Sequence, residues 1–164
     1  MDSKQAYHVV STSATLKSRL GRGANSNISL YGEEGGRKWI RKSPLDGECE
    51  KLISNELSIL RRLQGTGVVP TLHEDYLDDS WGEEEDIVME LLNNAATLGD
   101  YAEAAVAGEI PMNLFKAIVV EAASSLEVFH STGCVHGDLH ANNLVVTIDL
   151  KGNWKVIVID FGCF

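Results

Sequence analysis

An α+β fold is predicted by three observations. Strand-like and helix-like patterns are segregated, in the order strands, one helix, two strands, two helices, two strands, rather than alternating. The polar pair Asn93-Asn94 separates an early group from a late one, which implies two cores. With 164 residues, 44% hydrophobic and 23% charged, the chain is long and apolar enough to bury a sizeable interior.

Residues up to about Thr12 carry no pattern. From Leu16 to Lys42 the reading is three short strands, with Gly21 and Gly23 in the first turn and Gly32-Glu33-Glu34-Gly35-Gly36 in the second. Ser43-Pro44-Leu45-Asp46-Gly47 breaks the run. A helix follows from Glu48 to Leu63, because Leu52, Ile53, Leu57, Leu60 and Leu63 recur at helical spacing and Gly65 and Gly67 end it. Val68–Tyr76 and Asp86–Leu92 read as strands flanking a solvated acidic turn. Thr97-Leu98-Gly99-Asp100 has the form of a capping box and opens a helix to about Val106. The clearest helix is Met112–His130, with an apolar stripe of Phe115, Ile118, Val119, Ala122, Leu126 and Phe129 and with Gly133 beyond its end. Leu144–Thr147 and Lys155–Ile159 pair as a hairpin around Asp149-Leu150-Lys151-Gly152-Asn153.

The net charge of −10 argues against nucleic acid as the main partner, since phosphate-backbone binding needs clustered Lys and Arg. No apolar run has membrane-spanning length, and Met1–Gln5 lacks a signal-peptide core. Cys49, Cys134 and Cys163 are odd in number and widely spaced, which fits reduced thiols; a cytoplasmic, reducing location is the expectation.

The chemistry concentrates in His136-Gly137-Asp138-Leu139-His140-Ala141-Asn142-Asn143-Leu144 and in Asp160-Phe161-Gly162. Asp138 lies on a polar loop between an amphipathic helix and a strand; Asn143 follows five residues later. Asp160 ends the apolar run Val156-Ile157-Val158-Ile159, where a carboxylate needs a cation or donors to offset desolvation. One carboxylate to accept a hydroxyl proton, with an amide and a second carboxylate to hold Mg²⁺, is the set that phosphoryl transfer from Mg-ATP requires. A turn-capping role for Asp138, or a His136/Asp138/His140 metal cluster, is the competing reading; the cluster would lie in a loop with no fourth ligand near it. His136 itself reads as a structural anchor of the loop.

Gly21-Arg22-Gly23-Ala24-Asn25-Ser26-Asn27-Ile28 has the spacing of a loop that covers phosphates, the glycines letting N–H groups approach oxygen. An ordinary hairpin turn is the alternative; the position 21 residues before Lys42 favours the loop. Lys42, with Lys38 as runner-up, is the candidate phosphate-pairing lysine. Glu56 sits inside the apolar helix stripe, where a lone carboxylate is costly, so a Lys42–Glu56 pair is expected. Ile87–Leu92 is either a plain core strand or the wall of a nucleotide pocket, with backbone around Glu90 to Leu92 on the adenine edge and Met89 behind it.

On these motifs the chain resembles the protein kinase-like superfamily over roughly Leu20 to Gly162. The resemblance rests on Gly21, Gly23 and Ser26 (at the third glycine position), on Lys42 and Glu56, and on Asp138, Asn143 and Asp160-Phe161-Gly162. It implies a two-lobed fold, with an antiparallel sheet and one helix in 1–92 and an incomplete, mainly helical second lobe in 93–164. It also implies ATP and Mg²⁺ as cofactors, Asp138 as catalytic base, Asn143 and Asp160 as metal ligands, and Lys42 on the phosphates. Ile28, Ile40, Glu56, Met89, Glu90 and Leu92 complete the expected nucleotide site, Ile40 in place of the usual small alanine. Gly137 replaces the usual arginine, so control through a phosphorylated activation loop is not expected, and His140 stands where Ser/Thr kinases carry lysine. In this the loop is similar to those of aminoglycoside and choline phosphotransferases, RIO-type and other atypical kinases. No activation segment, Ala-Pro-Glu motif or later helices are read within these 164 residues.

The leading expectation is therefore an ATP-dependent phosphotransferase, protein (Ser/Thr) kinase-like, acting on a hydroxyl of a protein substrate. A small-molecule kinase and a truncated ATP-binding pseudokinase are the alternatives. No membrane or nucleic-acid partner is expected, and a dimer or partner could cover the shortened second lobe.

Overall fold

The computed structural model describes residues 15–22, 25–33, 36–73, 86–149 and 152–161. Gly23, Gly162, Cys163 and most of the acidic turn lie outside the described residues. Strands β1 (Thr15–Arg22), β2 (Ser26–Gly32), β3 (Lys38–Pro44) and β4 (Ile87–Glu90) form an antiparallel sheet in that order. Its register places Gly21 opposite Ile28 and Ile28 opposite Lys42. Directly opposed residues share a sheet face, and so do residues two apart, so Ile28, Ile40 and Lys42 lie on one face.

Helix α1 (Gly47–Leu63) begins where the Asp46 carboxylate accepts from the N–H groups of Glu48 and Cys49, each at 3.1 Å. Glu48 and Glu50 in its first turn and Arg61 and Arg62 in its last complement the helix dipole. Its stripe buries Ile53, Leu57, Leu60 and Leu63, with Glu56 among them.

The segment after α1 corrects the expected strand over Val68–Tyr76. Among its described residues only a single bridge forms, Leu72 to Met89. Pro70 has no N–H to give a ladder, and Gly65 and Gly67 take positive φ. The Gln64 side chain substitutes for a partner strand: it donates to the carbonyls of Leu60 and Pro70 and accepts from the Leu72 N–H at 3.0 Å. The Val158 N–H donates to the Val68 carbonyl at 2.8 Å, which ties this segment to the second half of the chain.

That half holds a short strand not expected from the sequence, β5 (Ala96–Thr97), then α2 (Leu98–Val106), α3 (Met112–Ser131), β6 (Leu144–Ile148) and β7 (Trp154–Val158). Strands β5, β6 and β7 make a second antiparallel sheet. The capping box of α2 is formed as expected, with Thr97 and Asp100 serving each other's backbone N–H. Those hydrogen bonds from the Thr97 N–H and hydroxyl hold the Asp100 carboxyl below its ordinary value. In α3 the buried seam is Ile118, Ala122, Ser125 and Phe129, and Phe115 and Leu126 flank it. Val119, expected in the stripe, is 41% exposed, because it lies about 100° round the helix from Ile118.

The buried apolar residues of both halves join in one cluster, from Ile53 and Leu60 of α1 to Phe129, Val146, Val158 and Phe161. Where two cores were expected, the interior is continuous.

Candidate active site

Near the end of β3, Lys42 is held on the sheet face that α1 covers. Its ammonium donates to both carboxylate oxygens of Glu56, at 2.9 and 2.7 Å, and to Oδ1 of Asp160 at 2.8 Å. Lys42 is 7% exposed and Glu56 2%. Burial pulls the Lys42 pKa down, but the charges and hydrogen bonds of Glu56 and Asp160 outweigh it, and the net direction is up from 10.5. A raised lysine contributes its full stability below 10.5 and loses it only as pH rises through the higher folded value, so Lys42 keeps its charge at neutral pH. For Glu56 burial dominates and pushes its carboxyl up from 4.5, with Lys42 opposing. Lys38, the runner-up, is exposed at the start of β3.

Asp160 has φ of +67°, a left-handed conformation that few residues other than glycine adopt. Its neighbours explain why it stays there. Val158 and Phe161, on either side of Ile159 and Asp160, are buried at 0% and 1% exposure, while the Asp160 side chain turns outward, 56% exposed. Phe161 stacks parallel and offset on Phe129 of α3, centroids 5.6 Å apart and rings within 6° of parallel. His136 lies against Phe161 at 5.1 Å, and its Nε2–H donates to the Ile159 carbonyl at 2.8 Å. Phe129→Ala should therefore cost about 3–5 kcal/mol in urea unfolding, as a fully buried aromatic leaves a cavity under both loops. A loss below about 1 kcal/mol would show that the stack carries little of the fold.

The loop bearing Asp138 is fixed by its own polar groups. The Asn143 Nδ2 donates to the Asp138 carbonyl at 2.9 Å, and the Asn143 N–H to His140 O at 3.0 Å. The Ile159 N–H donates to the Asn143 carbonyl at 3.0 Å, which couples this loop to the residue before Asp160. The Asp138 carboxylate is 54% exposed, 3.8 Å from Nε2 of the half-exposed His140. The His136/Asp138/His140 metal reading fails, since His136 is buried in the aromatic stack with Nε2 spent on a carbonyl. Among the described residues no group of three or more His, Cys, Asp or Glu is placed to hold a metal. The carboxamide of Asn143 and the exposed carboxylate of Asp160 are oxygen donors of the kind Mg²⁺ takes beside phosphates, so the residues present fit that ion.

Between the two sheets lies a cleft of about 330 Å³, lined by Ile40, Met89, Leu92, Val145 and Ile159 with Glu90 and Thr97 at its edge. The Glu90 carboxylate accepts from the Thr71 N–H and hydroxyl at 2.8 and 3.0 Å, and the Glu90 N–H donates to the Thr71 carbonyl. Ser26 opens β2 opposite Pro44 and is 2% exposed, and beside it the Asn25 carbonyl accepts from the Leu45 N–H. Gly21 sits within β1. The structure thus brings Lys42, Glu56 and Asp160 together, and Asp138 with Asn143. The sequence reading missed Val145, Ile159 and Thr97 as cleft residues; the capping box was the one available signal, since it fixes where α2 begins beside β5.

Comparison with known proteins follows the same lines. A family model described as the protein kinase domain matches residues 14–164. The chain is 29% identical over 160 residues to calcium/calmodulin-dependent protein kinase type 1B of Homo sapiens, covering 93% of this chain and 43% of that protein. It is 28% identical over 166 residues to the Rattus norvegicus form, covering 97% and 45%. A probable serine/threonine-protein kinase of Dictyostelium discoideum is 29% identical over 137 residues, 82% of this chain and 31% of that protein. The chain spans less than half the length of these relatives.

Proposed function

The chain belongs to the protein kinase family, and from that premise we propose that it transfers the γ-phosphoryl group of ATP to a hydroxyl. The observation that carries this reading is the ammonium of Lys42, gripped by Glu56 on α1 and by Asp160 118 residues along the chain. Two buried charges are costly to keep unless they serve something, and here they lie beside an apolar cleft lined by Ile40, on the same sheet face as Lys42, and by Ile159, next to Asp160.

In this reading Ile40, Met89 and Leu92 enclose the adenine. With the Glu90 N–H already spent on Thr71, its edge is met by the backbone at Leu91 and Leu92. Lys42 contacts the phosphates and Glu56 holds Lys42. The cover over the phosphates is assigned to Gly21, opposite Ile28 in the sheet register, and to Gly23 and Ser26 on their sequence spacing. Asn143 and Asp160 hold Mg²⁺, which when bound neutralises phosphate charge. Asp138 orients the attacking hydroxyl and accepts its proton. That the similar proteins are named as protein kinases, one of them a probable serine/threonine-protein kinase, favours a protein Ser/Thr hydroxyl as acceptor. Gly137 and His140, which set the loop apart from the usual protein kinase string, favour a small-molecule acceptor as second reading. The free, buried thiols of Cys49 and Cys134 support a reducing compartment.

Incubation with γ-labelled Mg-ATP and two acceptor panels tests this. Label on basic proteins supports the first acceptor and label on aminoglycosides or choline the second. Nucleotide binding with no Asp138-dependent transfer to either would reduce the chain to a nucleotide-binding module.

A further inference from the structure

Gly99 is the second residue of α2, where glycine is a poorer helix former than alanine. Its φ lies outside the left-handed region, so backbone freedom does not call for glycine. The space beside it is occupied: a Cβ built there would collide with Oδ1 of Asn142 and lie 3.3 Å from its Cγ, the end of an exposed side chain that must move to admit it. The Thr97 hydroxyl, which donates its proton to the Asp100 carboxylate at 2.8 Å, lies 3.3 Å from the same oxygen. Asn142 belongs to the 3-10 turn Ala141–Asn143, so it sits directly before the residue that clamps the Asp138 carbonyl. Thr97 and Asp100, on the other side of the contact, line the cleft.

We propose that Asn142 is a positioning residue: its carboxamide docks in the notch that Gly99 leaves at the start of α2 and holds the loop of Asp138 and Asn143 against the cleft. The docking stands on geometry alone, while its effect on turnover rests on the phosphotransfer reading given above. Asn142 acts through Asn143 and Asp138 and needs no contact with the reacting atoms. Small displacements of such groups are costly to rate, because the acceptor hydroxyl, Asp138 and the phosphate must be aligned together.

A thermal double-mutant cycle tests the docking. In the otherwise unaltered chain Gly99→Ala should lower Tm, by ~2–4 °C for a penalty of ordinary size. In the Asn142→Ala background the notch is empty, so the same substitution should raise Tm through the better helix propensity of alanine. A Gly99→Ala shift no more favourable in the Asn142→Ala background than in the unaltered one overturns the docking. Turnover tests the positioning. Gly99→Ala, Asn142→Ala and the double variant should each lose roughly tenfold or more in transfer rate, the double no worse than the singles, while Kd for Mg-ATP stays within about twofold. Unchanged turnover in Asn142→Ala beside an active unaltered chain overturns the positioning role. An inactive unaltered chain overturns the phosphotransfer reading and the positioning role with it, and leaves the thermal cycle to decide the docking.

Discussion

Lys42→Met should abolish the stabilisation of the chain by Mg-ATP and cost about 3–5 kcal/mol of folding stability, the usual penalty for stranding one partner of a buried ion pair. The size follows from what is left behind. Glu56 is 2% exposed, and without the ammonium at 2.7 Å it must be buried charged or take up a proton. Its carboxyl is already displaced upward by burial, so the second course is open and the loss should shrink as pH falls. The companion variant Lys42→Met/Glu56→Met replaces both charges with apolar chains of similar length. It should recover most of the stability, since an ion pair exchanged for packed hydrophobic groups is often neutral. It should not recover nucleotide binding. Urea unfolding with and without Mg-ATP separates the two effects. A single variant as stable as the unaltered chain, and still stabilised by nucleotide, would show that Lys42 is neither buried against Glu56 nor near the phosphates.

The second large effect is on rate alone. Asp138→Asn keeps the size of the side chain and removes its basicity, so transfer should fall by about 10²–10⁴-fold, the contribution of a positioned general base. Stability should change by no more than about 0.5 kcal/mol, because the Asp138 carboxylate is 54% exposed and the loop is fixed by the backbone carbonyl of Asp138, which the substitution keeps. Nucleotide stabilisation should persist. Equal loss of transfer and of nucleotide binding would instead mark Asp138 as a binding group.

Much of this arrangement is legible in the sequence for reasons that are local. Helix α1 and helix α3 announce themselves by spacing, and the breaker ending at Gly47 and the Thr97–Asp100 box place two helix starts to within a residue. The Lys42–Glu56 contact is legible because a glutamate inside an apolar stripe requires a cation, and one strand supplies the candidates. What escapes the sequence is settled by distant partners. The segment after α1 has strand-like composition, yet Gln64 satisfies its backbone and Pro70 denies it a ladder. Strand β5 is two residues long and exists only because Val145 and Val146 lie beside it. The turn of α3 that buries Ser125 and exposes Val119 is fixed by β7 and by the Phe161 stack, neither of which local periodicity contains. Gly99 reads as an ordinary flaw in a helix start until Asn142, 43 residues on, is seen in its notch.

Everything functional here depends on Lys42, Glu56 and Asp160 forming one end of a nucleotide cleft whose other end is Ile40, Met89 and Leu92. Calorimetric titration of the purified chain with ATP, in magnesium and again in excess chelator, tests that most directly. Saturable binding at one site is expected, weakened by the chelator and by Asp160→Ala and lost in Lys42→Met/Glu56→Met. No heat of binding at millimolar Mg-ATP, or binding that the double variant retains in full, would contradict it.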